Sequence, residues 1–325
     1  MIKKIILYLT LLTNSFAFYV GVGSFSACQS KFGSMYYKNC NFTKRQPIFS
    51  FLKKETPNVN AISMWITKDW KENWYPSETI NKAIKNGYIP IFIFYWFGDD
   101  ISPKFVKQHK EEYFDTLIKF SKFLKKINGP VIVILNPEYN ENGMEKSKYF
   151  DLLQAKSILL IKQYKPNSKV GICLGDFGDY KKIWDTYNWN LNLPSLNYSA
   201  KLSDFIAFQE MRALTKNSYE EVLNTPYRAL AFATYLNKKF NKPTFLAYLA
   251  ISSYNNEKLQ AKVYSIFNKL LPIFKNSANL IGINIFNYID VPTHTGYFNI
   301  AEKYWGIKKQ NGEKKEAFYE FLKFK

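Results

Sequence analysis

The chain has 325 residues, 47% of them hydrophobic, with 28 Phe and 24 Tyr, enough for one large domain or two modest ones. Its net charge of +19 rests almost wholly on Lys, with Arg only at 45, 212 and 228. Scattered lysines read as a solvated surface, and planar phosphate recognition favours Arg, so no nucleic-acid partner is expected, while an acidic polymer substrate would be drawn in by the charge.

The first 17 residues read as a secretory signal: Lys3 and Lys4, then apolar Ile5 to Leu12, then Ser15-Phe16-Ala17 as a small-residue cleavage pattern. A transmembrane anchor needs about 18 or more apolar residues, and Thr10, Thr13, Asn14 and Ser15 interrupt the run earlier. A lipoprotein reading would acylate Cys28 in Phe25-Ser26-Ala27-Cys28, which lies too far from the apolar core. The expected product is periplasmic or secreted, with no stable membrane insertion after cleavage. Cys28 and Cys40 are expected to form a disulfide in that oxidising setting; closing so short a loop contributes about 3 kcal/mol in the chain-entropy model. Cys173, inside the apolar run Val170 to Leu174, reads as an inert buried thiol. With His only at 109 and 294 and no Cys/His cluster at ligand spacing, neither a zinc site nor a cofactor is expected.

About 308 residues follow the signal, without a Gly/Ser or Pro-rich linker, low-complexity tract or repeat. One domain, residues 18–325, acting as a monomer, is the simplest reading. Strand patterns fall at Phe18–Gly23, Ala61–Thr67, Tyr88–Trp96, Val131–Asn136, Lys169–Leu174, Asp204–Gln209, Thr244–Ala250 and Leu280–Asn287. Helical periodicity falls between them, at Pro47–Lys54, Ser77–Asn86, Pro103–Ile127, Ser147–Tyr164, Tyr180–Tyr187, Ser218–Phe240 and Asn256–Phe274, and finally at Lys314–Leu322. Gly87 and Gly129 stand where helices stop, and Pro76-Ser77-Glu78 and Thr225-Pro226 where they start or turn. Eight strand–helix units in some 300 residues predict a single-domain α/β (β/α)₈ TIM barrel. The doubly wound alternative would carry a glycine-rich phosphate loop, and Gly21-Val22-Gly23 develops none.

In such a barrel chemistry gathers at the carboxyl ends of the strands. The fourth, Val131 to Leu135, runs into Asn136-Pro137-Glu138; proline ends the ladder and delivers an amide and a carboxylate at that end. Glu138 is the leading catalytic candidate. The other strand ends supply Trp65, Tyr95 and Trp96, Asp176, Gln209-Glu210-Met211-Arg212, and Asn287-Tyr288-Ile289-Asp290. Flat rings that stack on sugars and polar groups that bind hydroxyls predict a glycan cleft, lined by Asn136, Trp65, Trp96, Tyr95, Gln209, Arg212, Tyr288 and Asp290.

Here the chain resembles the bacterial (β/α)₈ glycoside hydrolases, especially the mannanase-like barrels of the large retaining clan. The resemblance is carried by Asn136-Pro137-Glu138, by Gly282 to Asp290, and by Tyr304-Trp305-Gly306-Ile307 with Asn311-Gly312-Glu313-Lys314-Lys315. It implies hydrolysis of a polysaccharide or glycan, with Glu138 as acid/base. Two departures stand out: Pro137 separates the acid from Asn136, and the seventh strand, Leu246 to Tyr254, has no Glu where the clan keeps its nucleophile. Either the second carboxylate has moved or the reaction has been lost. Glu210, held ionised by Arg212, is the expected partner, and Asp176 the second choice. An ion pair of Glu210 with Arg212 is the non-chemical reading. The rival functions are a non-catalytic carbohydrate-binding barrel and a surface-interaction protein.

Overall fold

The computed structural model describes residues 18–23, 36–38, 45–177, 189, 191 and 193–325, with backbone alone for 36–38 and 45–51. The eight barrel strands are Tyr19–Val22, Ala61–Ile66, Ile89–Phe94, Ile132–Leu135, Lys169–Gly175, Phe205–Arg212, Thr244–Ile251 and Leu280–Ile285. All pair in parallel, and the first closes on both the second and the eighth. The predicted (β/α)₈ barrel is therefore the observed fold. A short antiparallel ribbon, Tyr36–Lys38 with Arg45–Pro47, lies outside it. Residues 1–17, Cys28 and Cys40, and the helix expected at 180–187 lie outside the described residues, while Cys173 is a buried free thiol.

The strands are near-continuous apolar runs because both faces are covered. One face fills the barrel interior, with Ala61, Ile91, Ile93, Ile132, Ile134, Cys173, Phe205, Ala207 and Phe245. The other packs on the helices, through residues such as Ile62, Phe92, Phe94, Val133 and Leu249.

Helix starts follow side-chain caps. Ser102 accepts from Phe105 N–H before the helix Pro103–Lys125, Ser147 from Phe150 N–H before the helix Lys148–Tyr164, and Asn256 from Leu259 N–H before the helix Glu257–Ser277. The single helix expected over 218–240 is two, Tyr219–Leu223 with a Ser218/Glu221 capping box and Thr225–Phe240. The break falls at Asn224 because Pro226 has no N–H to continue the ladder. The last helix, Glu316–Phe321, closes the barrel against Glu257–Ser277. No helix among the described residues is long and apolar enough to cross a membrane.

Candidate active site at the barrel mouth

After the fourth strand the backbone turns left-handed, with Asn136 at φ 45° and Glu138 at φ 62°. Asn visits that region readily, but for a residue such as Glu138 it costs about 1–2 kcal/mol. Strain of this kind persists only where the surroundings fix it, and it gathers at functional sites. The Glu138 carboxyl accepts a hydrogen bond from the Tyr248 hydroxyl. Burial pushes the Glu138 pKa up to about 7; the Tyr248 hydroxyl opposes that shift, and the carboxylates of Asp99, Glu141 and Glu302 add to it. Near neutral pH a large share of Glu138 therefore carries its proton.

Tyr248 reaches Glu138 because of a β-bulge. Phe208 pairs with Leu246, but Gln209 pairs with Tyr248; on the other side Ile283 pairs with Leu246 and Ile285 with Leu249. The seventh strand thus carries one extra residue against both neighbours. Strict alternation from Phe245 and Ala247 would turn Tyr248 toward the helices, whereas the bulge keeps it in the interior cluster. Its ring lies 5.3 Å from Trp65 and 5.8 Å from Phe286, and Trp65 lies 5.5 Å from both Tyr95 and Phe286. The Tyr95 hydroxyl donates to exposed Asp99, and burial, ahead of Asp99 and Glu138, drives the Tyr95 pKa up. His294, 5.7 Å from Phe286, is held neutral by burial, its pKa lowered to about 4. Glu302 is pinned by Phe298 N–H at 3.0 Å and Trp305 Nε1–H at 2.9 Å.

Of the residues singled out from the sequence, Glu138, Trp65 and Tyr95 come together at the mouth, and Gln209 faces the interior opposite Tyr248. The others do not join them. Trp96 turns outward and donates to Thr116 Oγ1 at 3.0 Å. Asn136 points to Gln154 of the helix Lys148–Tyr164, 3.4 Å away. Tyr288 packs in the outer layer and donates to Glu55. Asp290 pairs with Lys315 at 2.7 Å.

Glu210 and Asp176 come together with each other, in the layer between barrel and helices. Asp176 accepts from Arg228 Nε at 2.5 Å and Nη2 at 2.7 Å, and from Trp189 Nε1 at 2.7 Å. Arg212 lies 3.3 Å from Glu210 and 3.7 Å from Asp176. The expectation that Arg212 keeps Glu210 ionised is reversed. Complete burial outweighs Arg212 and pushes the Glu210 pKa well above the carboxylate range, with Asp176 adding to the rise. Tyr248, Phe286 and Glu302 are the mouth residues that sequence reasoning passed over.

The structure thus defines a (β/α)₈ barrel with a pKa-raised carboxyl and a cluster of aromatic rings at its mouth. No protein-family model and no curated protein matches this chain. Solved structures do. The β-D-glucuronidase of Dictyoglomus thermophilum is 14% identical with a TM-score of 0.57, covering 85% of this chain and 45% of that one. The endo-β-1,4-mannanase of Thermotoga petrophila is 13% identical with a TM-score of 0.58, covering 94% and 76%. A Faecalibacterium prausnitzii β-glucuronidase is 14% identical with a TM-score of 0.62, covering 95% and 48%. The chain spans about half the length of these glucuronidases. At such identities the likeness is one of fold, and it agrees with the resemblance to glycoside hydrolase barrels drawn from the sequence.

Proposed function

We propose that this chain hydrolyses a polysaccharide or glycan, with Glu138 donating the proton that the departing sugar oxygen needs. The supporting observation is the Glu138 carboxyl itself, held in a strained left-handed turn, hydrogen-bonded by Tyr248 and raised to about 7 by burial. That combination suits a general acid working near neutral pH. Trp65, Tyr95 and Phe286 would pack on the apolar face of the sugar. Asp99 is the proposed counter-carboxylate: it heads the acids acting on Glu138 and is open to solvent. It takes the role first given to Glu210, with Asp176 as second choice, because those two are committed to the arginine network. Export through the signal at residues 1–17, and the Cys28–Cys40 bridge, belong to the same proposal.

A non-catalytic glycan-binding barrel is the second reading. It is favoured by one observation, that the seventh strand presents Tyr248 rather than a carboxylate to Glu138. A polysaccharide panel scored for both binding and new reducing ends separates the two, with wild type and Glu138→Gln side by side. Hydrolysis predicts reducing ends from wild type and a loss of about 10²–10⁴-fold in the variant. Binding without reducing ends from either protein selects the second reading.

A further inference from the structure

Beside the mouth, the loops after the seventh and eighth strands and the segment leading into the last helix line an open cavity of about 790 Å³, the size of a small-ligand site. Its floor is a buried ion pair, Asp290 5% exposed and Lys315 1% exposed. Lys315 Nζ donates to Asp290 Oδ1 at 2.7 Å, Ser253 Oγ at 2.8 Å and Gly306 O at 2.7 Å, which uses all three of its N–H bonds. Gly306 N–H also donates to Oδ1, at 2.9 Å. Asp290 Oδ2 receives no hydrogen bond from a described residue, so the pair offers the cavity one open, fixed acceptor.

One wall is aromatic: the rings of Tyr254 and Tyr304 lie 5.4 Å apart at 39°, and Tyr304 is 37% exposed. The lining lysines are not equivalent. Lys309 is held by Glu313 at 2.7 Å and Glu257 at 3.8 Å, and Lys315 is spent on the floor. Lys303 makes no ion pair with any described residue. Each feature selects a ligand group. Tyrosine faces accept the C–H side of a sugar ring, a buried acceptor reads a hydroxyl, and an uncommitted ammonium takes a carboxylate. Among the described residues no Arg lines the cavity, which speaks against planar phosphate recognition.

We propose that this cavity binds a saccharide bearing a uronic carboxylate, with a ring on Tyr254 and Tyr304, a hydroxyl on Asp290 Oδ2 and the carboxylate on Lys303. The site is separate from Glu138 and does not depend on the hydrolytic reading. It would let a strongly basic protein hold an acidic polymer while the mouth works nearby.

The test titrates the full chain calorimetrically with trisaccharides of galacturonic and glucuronic acid and with their carboxyl-reduced neutral counterparts. Binding of either acidic sugar is expected, with the neutral form about five-fold weaker, the upper range for an exposed charged pair. Lys303→Ala, which removes the same charged pair, should weaken binding about five-fold, and Tyr304→Ala, which removes a stacking face, should weaken it measurably too; both positions are partly exposed and spare the fold. Equal affinity for neutral and acidic sugars, no binding of either acidic sugar, or indifference to Tyr304→Ala and Lys303→Ala would each overturn the assignment. A protein that passes here but releases no reducing ends keeps this site and loses the catalytic proposal.

Discussion

At the scale of single residues, the mouth holds a carboxyl group where water-solvated carboxylates would be more stable. A group whose folded pKa is raised, from 4.5 to about 7 for Glu138, binds more protons in the folded chain than in the unfolded one. Folding stability then falls as pH rises from about 4.5 to 7, and the full penalty is present above that window. Glu138→Gln keeps an acceptor for Tyr248 and removes the penalty. The variant should be more stable than wild type by about 1–3 kcal/mol at pH 8, shrinking toward zero near pH 4.5. Urea unfolding of both proteins across that range checks it; an equal or smaller stability of the variant at pH 8 would count against a partly buried, proton-retaining Glu138.

Elements decide which residues reach that carboxyl, and the seventh strand does so through its bulge. The hydroxyl it places on Glu138 stabilises the ionised form, since its hydrogen bond lowers the Glu138 pKa. Tyr248→Phe should raise that pKa further and move the basic limb of the pH–rate profile upward by about one unit. A rate loss with no movement of the limb would make Tyr248 merely a packing residue.

The strands themselves were legible in the sequence, because β-branched runs bounded by Gly and Pro leave little choice of element. Facing was legible too, where alternation holds. Cys173 and Ala207 are small interior residues, so parity alone turns Asp176 and Glu210 outward, and Ile91 and Ile93 do the same for Trp96. The expectation of Glu210 as partner ignored that parity and weighed only its nearness to Arg212. Tyr248 could not have been found this way. A bulge reverses parity, and nothing in Phe245 to Ala250 marks where the extra residue is absorbed.

The molecule as a whole sets a strongly basic surface, net +19, around a mouth where Asp99, Glu141 and Glu302 crowd Glu138. On the proposed function, that separation would suit a long polymer held by the outside with one bond presented to the acid. The seventh strand sets Tyr248 rather than a carboxylate against Glu138, so the proposed catalysis rests on the fourth-strand acid. The most direct test of that claim is the leaving-group dependence of kcat/KM in Glu138→Gln, on a sugar that the panel identifies. For an oligosaccharide, whose leaving oxygen must be protonated, the loss should be about 10²–10⁴-fold. For the dinitrophenyl glycoside of the same sugar, whose leaving group departs without a proton, it should be far smaller. Equal losses on the two substrates, or full activity of the variant on both, would contradict the assignment of Glu138 as the acid.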